Sequence, residues 1–354
     1  MKFTFMCKQQ ATVPGRSKLK VAIIGGGPAG LSGAGFLVCQ GYDVYIYEKN
    51  PLAGGLMLFA IPSERIPPEN VLEGINELRD KYNVNFVTKT KIYGNSKPRE
   101  EEGDKLVEKI ISLKDIIDNH DAVLITTGTW QSRRLNCPGE KGPGVYTALE
   151  FLYELRIYEK GFTNHKPKLG NRVIVVGGGL SAVDAAFEAL KSGAKEVIMA
   201  YRRTIKEAPA GIHEIRKLVS KGVKWMELIS PKEIIRENGQ VKAVVFQKMR
   251  LGEPDESGRR RPIPIPGSEI TLEADTVIEA IGEIPTPPFE NGYLGLKFDR
   301  KYRIIVDEHY RTTHPKVFAA GDVVSGPSMI GPAIRSGLFA AKSIHLYLSA
   351  KKLT

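Results

Sequence analysis

Short apolar runs that stop at glycine recur along this chain. Residues 19–24 (Leu-Lys-Val-Ala-Ile-Ile) run into Gly25-Gly26-Gly27, the pattern of a buried parallel strand entering a tight turn. A helix is predicted over about 28–40, and Gly41 ends it. Residues 43–48 (Asp-Val-Tyr-Ile-Tyr-Glu), β-branched and aromatic, read as a second strand. Strand, glycine turn, helix, strand makes a complete βαβ unit. The unit returns about 150 residues later. Residues 172–176 (Arg-Val-Ile-Val-Val) run into Gly177-Gly178-Gly179, a helix follows to about Ser192, Gly193 caps it, and 196–201 form the next strand.

Between the two units, residues 121–126 (Asp-Ala-Val-Leu-Ile-Thr) are another buried strand, and the charged stretch 94–110 is expected to be an exposed hairpin or loop. The Pro- and Gly-rich stretch 138–144 reads as a linker, and Ile284-Pro-Thr-Pro-Pro288 as the return crossing. The last segment carries a strand at 317–320, Gly321-Asp322, and a helix over about 332–348. The fold class is therefore α/β, two Rossmann-like dinucleotide-binding domains with the second inserted into the first. The expected boundaries are a tail at 1–18, a first domain at 19–144 and 289–354, and a second domain at 145–288.

Composition narrows the function. A chain of 354 residues is long enough for two cores. No apolar run approaches the roughly eighteen residues needed to cross a bilayer, and the first twenty residues hold no signal-peptide core, so a cytoplasmic protein without a membrane span is expected. The three cysteines, Cys7, Cys39 and Cys137, are odd in number and far apart, which argues against a disulfide framework, and no CxxC occurs. The net charge of +11 is mostly interleaved; its densest runs are Arg202-Arg203 and Arg259-Arg260-Arg261. No RNA-binding or helix-turn-helix signature accompanies them, so nucleic acid is not the expected partner. Phosphorylated cofactors and acidic proteins are.

Gly25-Gly26-Gly27-Pro28-Ala29-Gly30 is a full G-x-G-x-x-G. Gly25 permits the turn, Gly27 lets backbone approach a pyrophosphate, and Gly30 lets the helix pack on the strand. The helix N-terminus then offers free N–H groups and partial positive charge. Glu48, at the end of the second strand, is placed to accept hydrogen bonds from ribose hydroxyls. In the second unit, Gly177-Gly178-Gly179-Leu180-Ser181-Ala182 has alanine at the third glycine position, and its second strand ends in Arg202-Arg203 rather than an acid. Guanidinium groups pair with a 2′-phosphate that a carboxylate would repel, which favours NADP over NAD. Gly321-Asp322, after a strand, suits hydrogen bonding to a flavin's ribityl hydroxyls.

The chain resembles the small subunit of glutamate synthase and its relatives, including flavoprotein subunits of sulfide dehydrogenase and of transhydrogenase-type complexes. The matching stretches are 21–30, 48–55 with its Gly54-Gly55 pair, 61–65 (Ile-Pro-Ser-Glu-Arg), 126–129 (Thr-Thr-Gly-Thr), 138–140, 201–203, 251–261 (Leu-Gly-Glu-Pro-Asp-Glu-Ser-Gly-Arg-Arg-Arg), 274–282 and 317–322. The resemblance implies a flavoprotein with FAD in the first domain and NADPH, or NADH, in the second. It assigns Gly25, Gly27, Pro28, Ala29 and Gly30 to the FAD pyrophosphate and Glu48 with Lys49 to its adenosine. Gly54, Gly55, Leu56, Arg65, Thr127 and Gly128 would line the same site, with Gly321, Asp322 and Ala333 at the flavin end. Gly177, Gly179, Leu180, Ser181, Ala182 and Gly282 would hold the nicotinamide dinucleotide, with Arg202 and Arg203 on its 2′-phosphate.

The chain departs from that family in two ways. Relatives usually place Asn and a small polar residue where Leu180-Ser181 stand, and they carry an N-terminal cysteine-rich domain for iron–sulfur clusters. Three cysteines cannot make a four-cysteine site, although Cys7 and Cys137 could share a [4Fe-4S] cluster with a non-cysteine ligand or another subunit. Chains of this shortened form also resemble the FAD subunit of heterodisulfide-reductase-like complexes. A thioredoxin reductase would need the missing CxxC.

The implied activity is hydride transfer between nicotinamide C4 and flavin N5, which needs the rings about 3–3.5 Å apart, with electrons passing on to a protein partner. The cofactor carries the chemistry, so no side-chain acid or base is named; His213, His309 and His314 have no motif context. Candidate partners are a ferredoxin-like protein, a glutamate synthase large subunit or heterodisulfide-reductase-like subunits, with the chain as one member of an oligomer or complex. The alternative is an electron-conduit subunit whose nicotinamide site is vestigial.

Overall fold

The computed structural model describes residues 3–6, 19–94 and 98–351. The chain divides into two compact units, residues 1–131 with 283–354, and residues 132–282. The sequence placed the crossings at 144 and 288. The stretch 138–144 lies within the second unit because its backbone is tied there: Arg236 donates from Nε to the Gly139 carbonyl at 2.6 Å and from Nη1 to that of Pro143 at 2.8 Å. Only glycine fits at 139, since a Cβ would lie 1.8 Å from the Ile234 carbonyl oxygen.

In the first unit, β1 (Lys20–Ile24) is the middle of a five-stranded parallel sheet. β2 (Asp43–Tyr47) and then β3 (Asn85–Val87) extend it on one side. Beyond β4 (Thr90–Tyr93) and β5 (Lys109–Ser112), which pair in parallel by themselves, comes β6 (Ala122–Ile125) on the other side of β1. The outermost strand on that side comes from the far end of the chain. Every residue of β6 is buried, as a strand covered on both faces requires. The helix α1 (Pro28–Cys39) links β1 to β2. Within the stretch read as a tail, Phe5 is buried against α1, its carbonyl oxygen where a Cβ on Gly35 would need to sit.

The second unit repeats the arrangement. It opens with β7 (Val145–Thr147), α2 (Ala148–Glu159) and β8 (Arg172–Val176), then α3 (Leu180–Lys191), β9 (Glu196–Tyr201) and β10 (Lys224–Glu227). After an antiparallel excursion through β11 (Ile229–Glu237), β12 (Gln240–Pro254) and β13 (Arg260–Glu273), the chain returns as β14 (Thr276–Glu279). The parallel sheet has the order β10-β9-β8-β14-β7, so β8 holds the central place that β1 holds in the first unit. In each sheet the strand order reverses at that central strand, and the crevice beyond its carboxyl end is where such folds take ligands.

The first unit closes with β15 (Val317–Ala319), paired in parallel with β6, and the 22-residue α4 (Ile330–Lys351). α4 packs on α1 at glycine: a Cβ on Gly337 would lie 2.1 Å from the Ala29 carbonyl oxygen. Among the described residues no helix is long and apolar enough to cross a membrane.

Candidate functional site

A cleft opens at the carboxyl end of the first sheet. Of the residues expected to hold FAD, Gly25, Gly27, Pro28, Ala29, Glu48, Lys49, Gly55, Leu56, Thr127, Gly128, Gly321, Asp322 and Ala333 line it together. Three others do not. Gly30 lies beneath the turn, where a Cβ would be 2.1 Å from the Gly25 carbonyl oxygen. Gly54 donates its N–H to the Gly26 carbonyl at 2.7 Å and so braces the turn from behind. Arg65 is exposed outside the cleft.

The cleft suits a dinucleotide. α1 begins at Gly27 with no side-chain cap, leaving its first N–H groups to an outside acceptor. A Cβ on Gly27 or Gly128 would meet nothing within 4 Å, so at both points bare backbone borders open space. Glu48 is 4% exposed; its Oε2 accepts from the Gly26 N–H at 2.8 Å and its Oε1 from the Asn50 N–H at 2.9 Å. Burial raises its pKa against the lowering pull of those bonds. Asp322 accepts a hydrogen bond from the Ser328 hydroxyl at 2.6 Å, and burial raises its pKa too.

The structure corrects the reading of 94–110 as an exposed loop. Glu101 and Asp104 reach inward: Lys49 Nζ stands 2.8 Å from Glu101 and 3.0 Å from Asp104, and 4.4 Å over the Trp130 ring. Lys91 Nζ is 2.5 Å from Asp104 and 2.7 Å from the Arg99 carbonyl oxygen. Burial pulls the Lys49 pKa down, but the two carboxylates outweigh it and hold it above its usual value. Lys91, Glu101 and Trp130 line the cleft beside Lys49, and sequence reasoning did not find them. The available signal was that Lys49, just past β2, and Lys91, in β4, precede a loop that carries Glu101 and Asp104.

In the second unit the same turn follows β8. A Cβ on Gly177 would lie 2.2 Å from the Ala280 carbonyl oxygen and one on Gly178 would strike the Tyr201 ring, whereas one on Gly179 would meet nothing within 4 Å. α3 begins there without a side-chain cap. Ala182 is fully buried beneath the turn, Ser181 is partly buried, and Leu180 is 38% exposed. Gly282 accepts the Arg133 N–H at 2.8 Å. The two arginines part company: Arg202 is exposed, while Arg203 is 3% exposed and hydrogen-bonded to the β12–β13 turn.

Cys7 lies outside the described residues. Cys137 is half-buried, and burial, then Glu140 and Glu279, push its thiol up to about 11. Among the described residues no group of three or more His, Cys, Asp or Glu side chains could hold a metal ion.

The family described as pyridine nucleotide-disulphide oxidoreductase matches residues 19–337. Among curated proteins, the putative oxidoreductase AegA of Escherichia coli (strain K12) is 35% identical over 349 residues, covering 94% of this chain and 50% of that protein. The small chain of glutamate synthase [NADPH] from the same organism is 34% identical over 339 residues, covering 93% of this chain and 68% of that one. Among solved structures, the His57Gln mutant of FprA from Mycobacterium tuberculosis shares the fold, with a TM-score of 0.76 at 20% identity, covering 95% of this chain and 86% of its own. The chain thus spans half the length of AegA and about two thirds of the glutamate synthase small chain.

Proposed function

The chain belongs to the pyridine nucleotide-disulphide oxidoreductase family, among relatives that include the glutamate synthase small chain, and from that premise we propose that it binds FAD in its first unit and NADPH in its second and passes electrons between the nicotinamide and a redox partner. The observation that carries this reading is the bare backbone at Gly27, at the mouth of an uncapped helix inside a cleft that also holds a buried acid, Glu48. In the proposal the α1 N-terminus holds the FAD pyrophosphate, Glu48 accepts from the ribose, and Asp322 accepts from the ribityl chain. Lys49, fixed by Glu101 and Asp104, closes the adenosine end. The uncapped start of α3 and the exposed Arg202 do the corresponding work for NADPH. Bound FAD would supply the two-electron acceptor for the nicotinamide hydride and the means of releasing electrons onward. The side chains orient and shield; none is assigned a proton transfer.

The partner is proposed to be an acidic redox protein, because an excess of 51 basic over 40 acidic residues speeds encounter with a complementary surface. The test is direct. The purified protein should be yellow, and NADPH added without oxygen should bleach the flavin absorbance within seconds. A polypeptide that stays colourless after incubation with FAD would overturn the reading entirely. A yellow protein that NADPH does not bleach would overturn its nicotinamide half and leave a flavin conduit.

A further inference from the structure

We propose that the turn of the β12–β13 hairpin belongs to the nucleotide site: Arg259 joins Arg202 on the 2′-phosphate of NADPH, and Arg203 is a positioning residue that holds the turn rather than a phosphate ligand. This rests on the NADPH reading of the second unit and assigns roles that the Arg202-Arg203 pair alone does not suggest.

Arg203 faces the turn. Its Nε donates to the Arg260 carbonyl at 2.6 Å and its Nη2 to Asp255 Oδ2 at 2.6 Å. Asp255 in turn organises the loop: its Oδ1 accepts the Ser257 N–H at 2.9 Å, its own N–H donates to the Arg259 carbonyl at 2.8 Å, and its carbonyl accepts the Gly258 N–H at 2.8 Å. The Ser257 hydroxyl and N–H, with the Arg203 charge, hold the Asp255 carboxyl down to about 2, so it is a carboxylate at any working pH. Arg260 lies back along the strand, donating to the carbonyls of Leu251 and Gly252.

The guanidinium groups of Arg202 and Arg259 pair with no carboxylate among the described residues. Arg259 is anchored through Nε to the Ser257 hydroxyl at 2.9 Å, which leaves its terminal amino groups to an outside acceptor. Arg202 makes no hydrogen bond or ion pair among the described residues. Arg203, next to Arg202 in the chain, bonds the Arg260 carbonyl and Asp255, which brings the turn that carries Arg259 up to Arg202; partial desolvation, and then the charges of Arg203 and Arg259, lower the Arg202 pKa. Asp255 thus neutralises Arg203, while Arg202 and Arg259 keep their charge beside it. A phosphate dianion, taken in bidentate fashion, balances the remaining charge.

The experiment is calorimetric titration of the FAD-loaded protein with adenosine 2′,5′-bisphosphate and with 5′-AMP. The wild type should prefer the bisphosphate. Arg259→Gln should weaken bisphosphate binding about tenfold, the loss expected for one charge-assisted contact, and leave 5′-AMP unchanged. Arg259→Lys should recover part of the loss. Asp255→Asn separates the roles of the two arginines. It should weaken the bisphosphate by loosening the turn, whereas it would tighten binding if Arg203 were itself the phosphate ligand, freed of a competing carboxylate. A bisphosphate affinity unchanged in Arg259→Gln, or a tightening in Asp255→Asn, overturns the proposal alone. A wild type that binds both probes alike overturns the NADPH reading and the proposal together.

Discussion

Gly27 and Gly30 stand three residues apart in one motif and serve different ends. At Gly30 a methyl group would sit 2.1 Å from one backbone oxygen and 2.8 Å from the Thr126 hydroxyl, so Gly30→Ala should yield little folded protein. At Gly27 the same methyl meets nothing within 4 Å and φ is −75°, which any residue adopts. Gly27→Ala should therefore keep the flavin-free melting temperature and lose flavin retention on a desalting column; retained flavin would show that the pyrophosphate lies elsewhere. The motif itself assigned Gly27 to a close approach and Gly30 to packing, but which atoms stand opposite each was not legible in the sequence, because they come from distant segments. Glu279 shows the same limit. It reads as the last polar residue of a strand, yet its side chain is fully buried, its Oε1 has no hydrogen-bond partner, and Arg134 approaches only to 3.4 Å. Burial first, and then Glu140, raise its pKa from 4.5 to about 7. The folded protein thus holds a proton that the unfolded chain releases, so this contribution is complete below pH 4.5 and is lost as pH rises to 7. Glu279→Gln should flatten the dependence of urea-melt stability between pH 5 and 7.5 and stabilise the protein at about pH 8; an unchanged slope would refute the buried-acid assignment.

At the scale of elements, the seating of α3 and its open N-terminus is fixed partly by an ion pair. Arg156 of α2 and Glu188 of α3 are each 1% exposed and bonded to one another, and Arg156 also pairs with Glu159. Arg156 Nε and Glu188 Oε2 have no hydrogen-bond partner, and Lys191 Nζ reaches Oε2 only to 4.0 Å, so the pair is buried without full satisfaction. Arg156→Met should cost about 3–5 kcal/mol in denaturant melts because it leaves Glu188 buried with only the loose Lys191 contact, and adding Glu188→Met should recover most of that; a double variant no better than the single would show the pair is not the source of the loss. The βαβ units themselves were plain in the sequence, since a buried parallel strand is a continuous apolar run and glycine marks where it stops. The long hairpin was not. β13 alternates exposed and half-buried positions and carries Pro262, Pro264 and Pro266, residues that speak against a strand; it holds because it lies at the edge of its three-stranded sheet, where missing N–H donors cost least. The loop between β4 and β5 was misread for a related reason. Charge was taken as exposure, but Glu101 and Asp104 turn inward to pair with Lys49 and Lys91.

At the scale of the whole molecule, residues 132–282 form a unit set within the other in the chain, and the first Pro-Gly stretch, which reads as a linker, is bonded into that inserted unit. That nesting has a consequence for how the protein is made. Residues 132–282 are continuous, so a nascent chain holds everything the inner unit needs while the outer one still waits for β15, whose partners on β6 emerged nearly two hundred residues earlier. Until then the outer edge of β6, all of it apolar, has no neighbour, and such an edge is open to mispairing. The inner unit can fold on the ribosome as soon as it emerges, while the outer unit can be completed only after β15 has followed it.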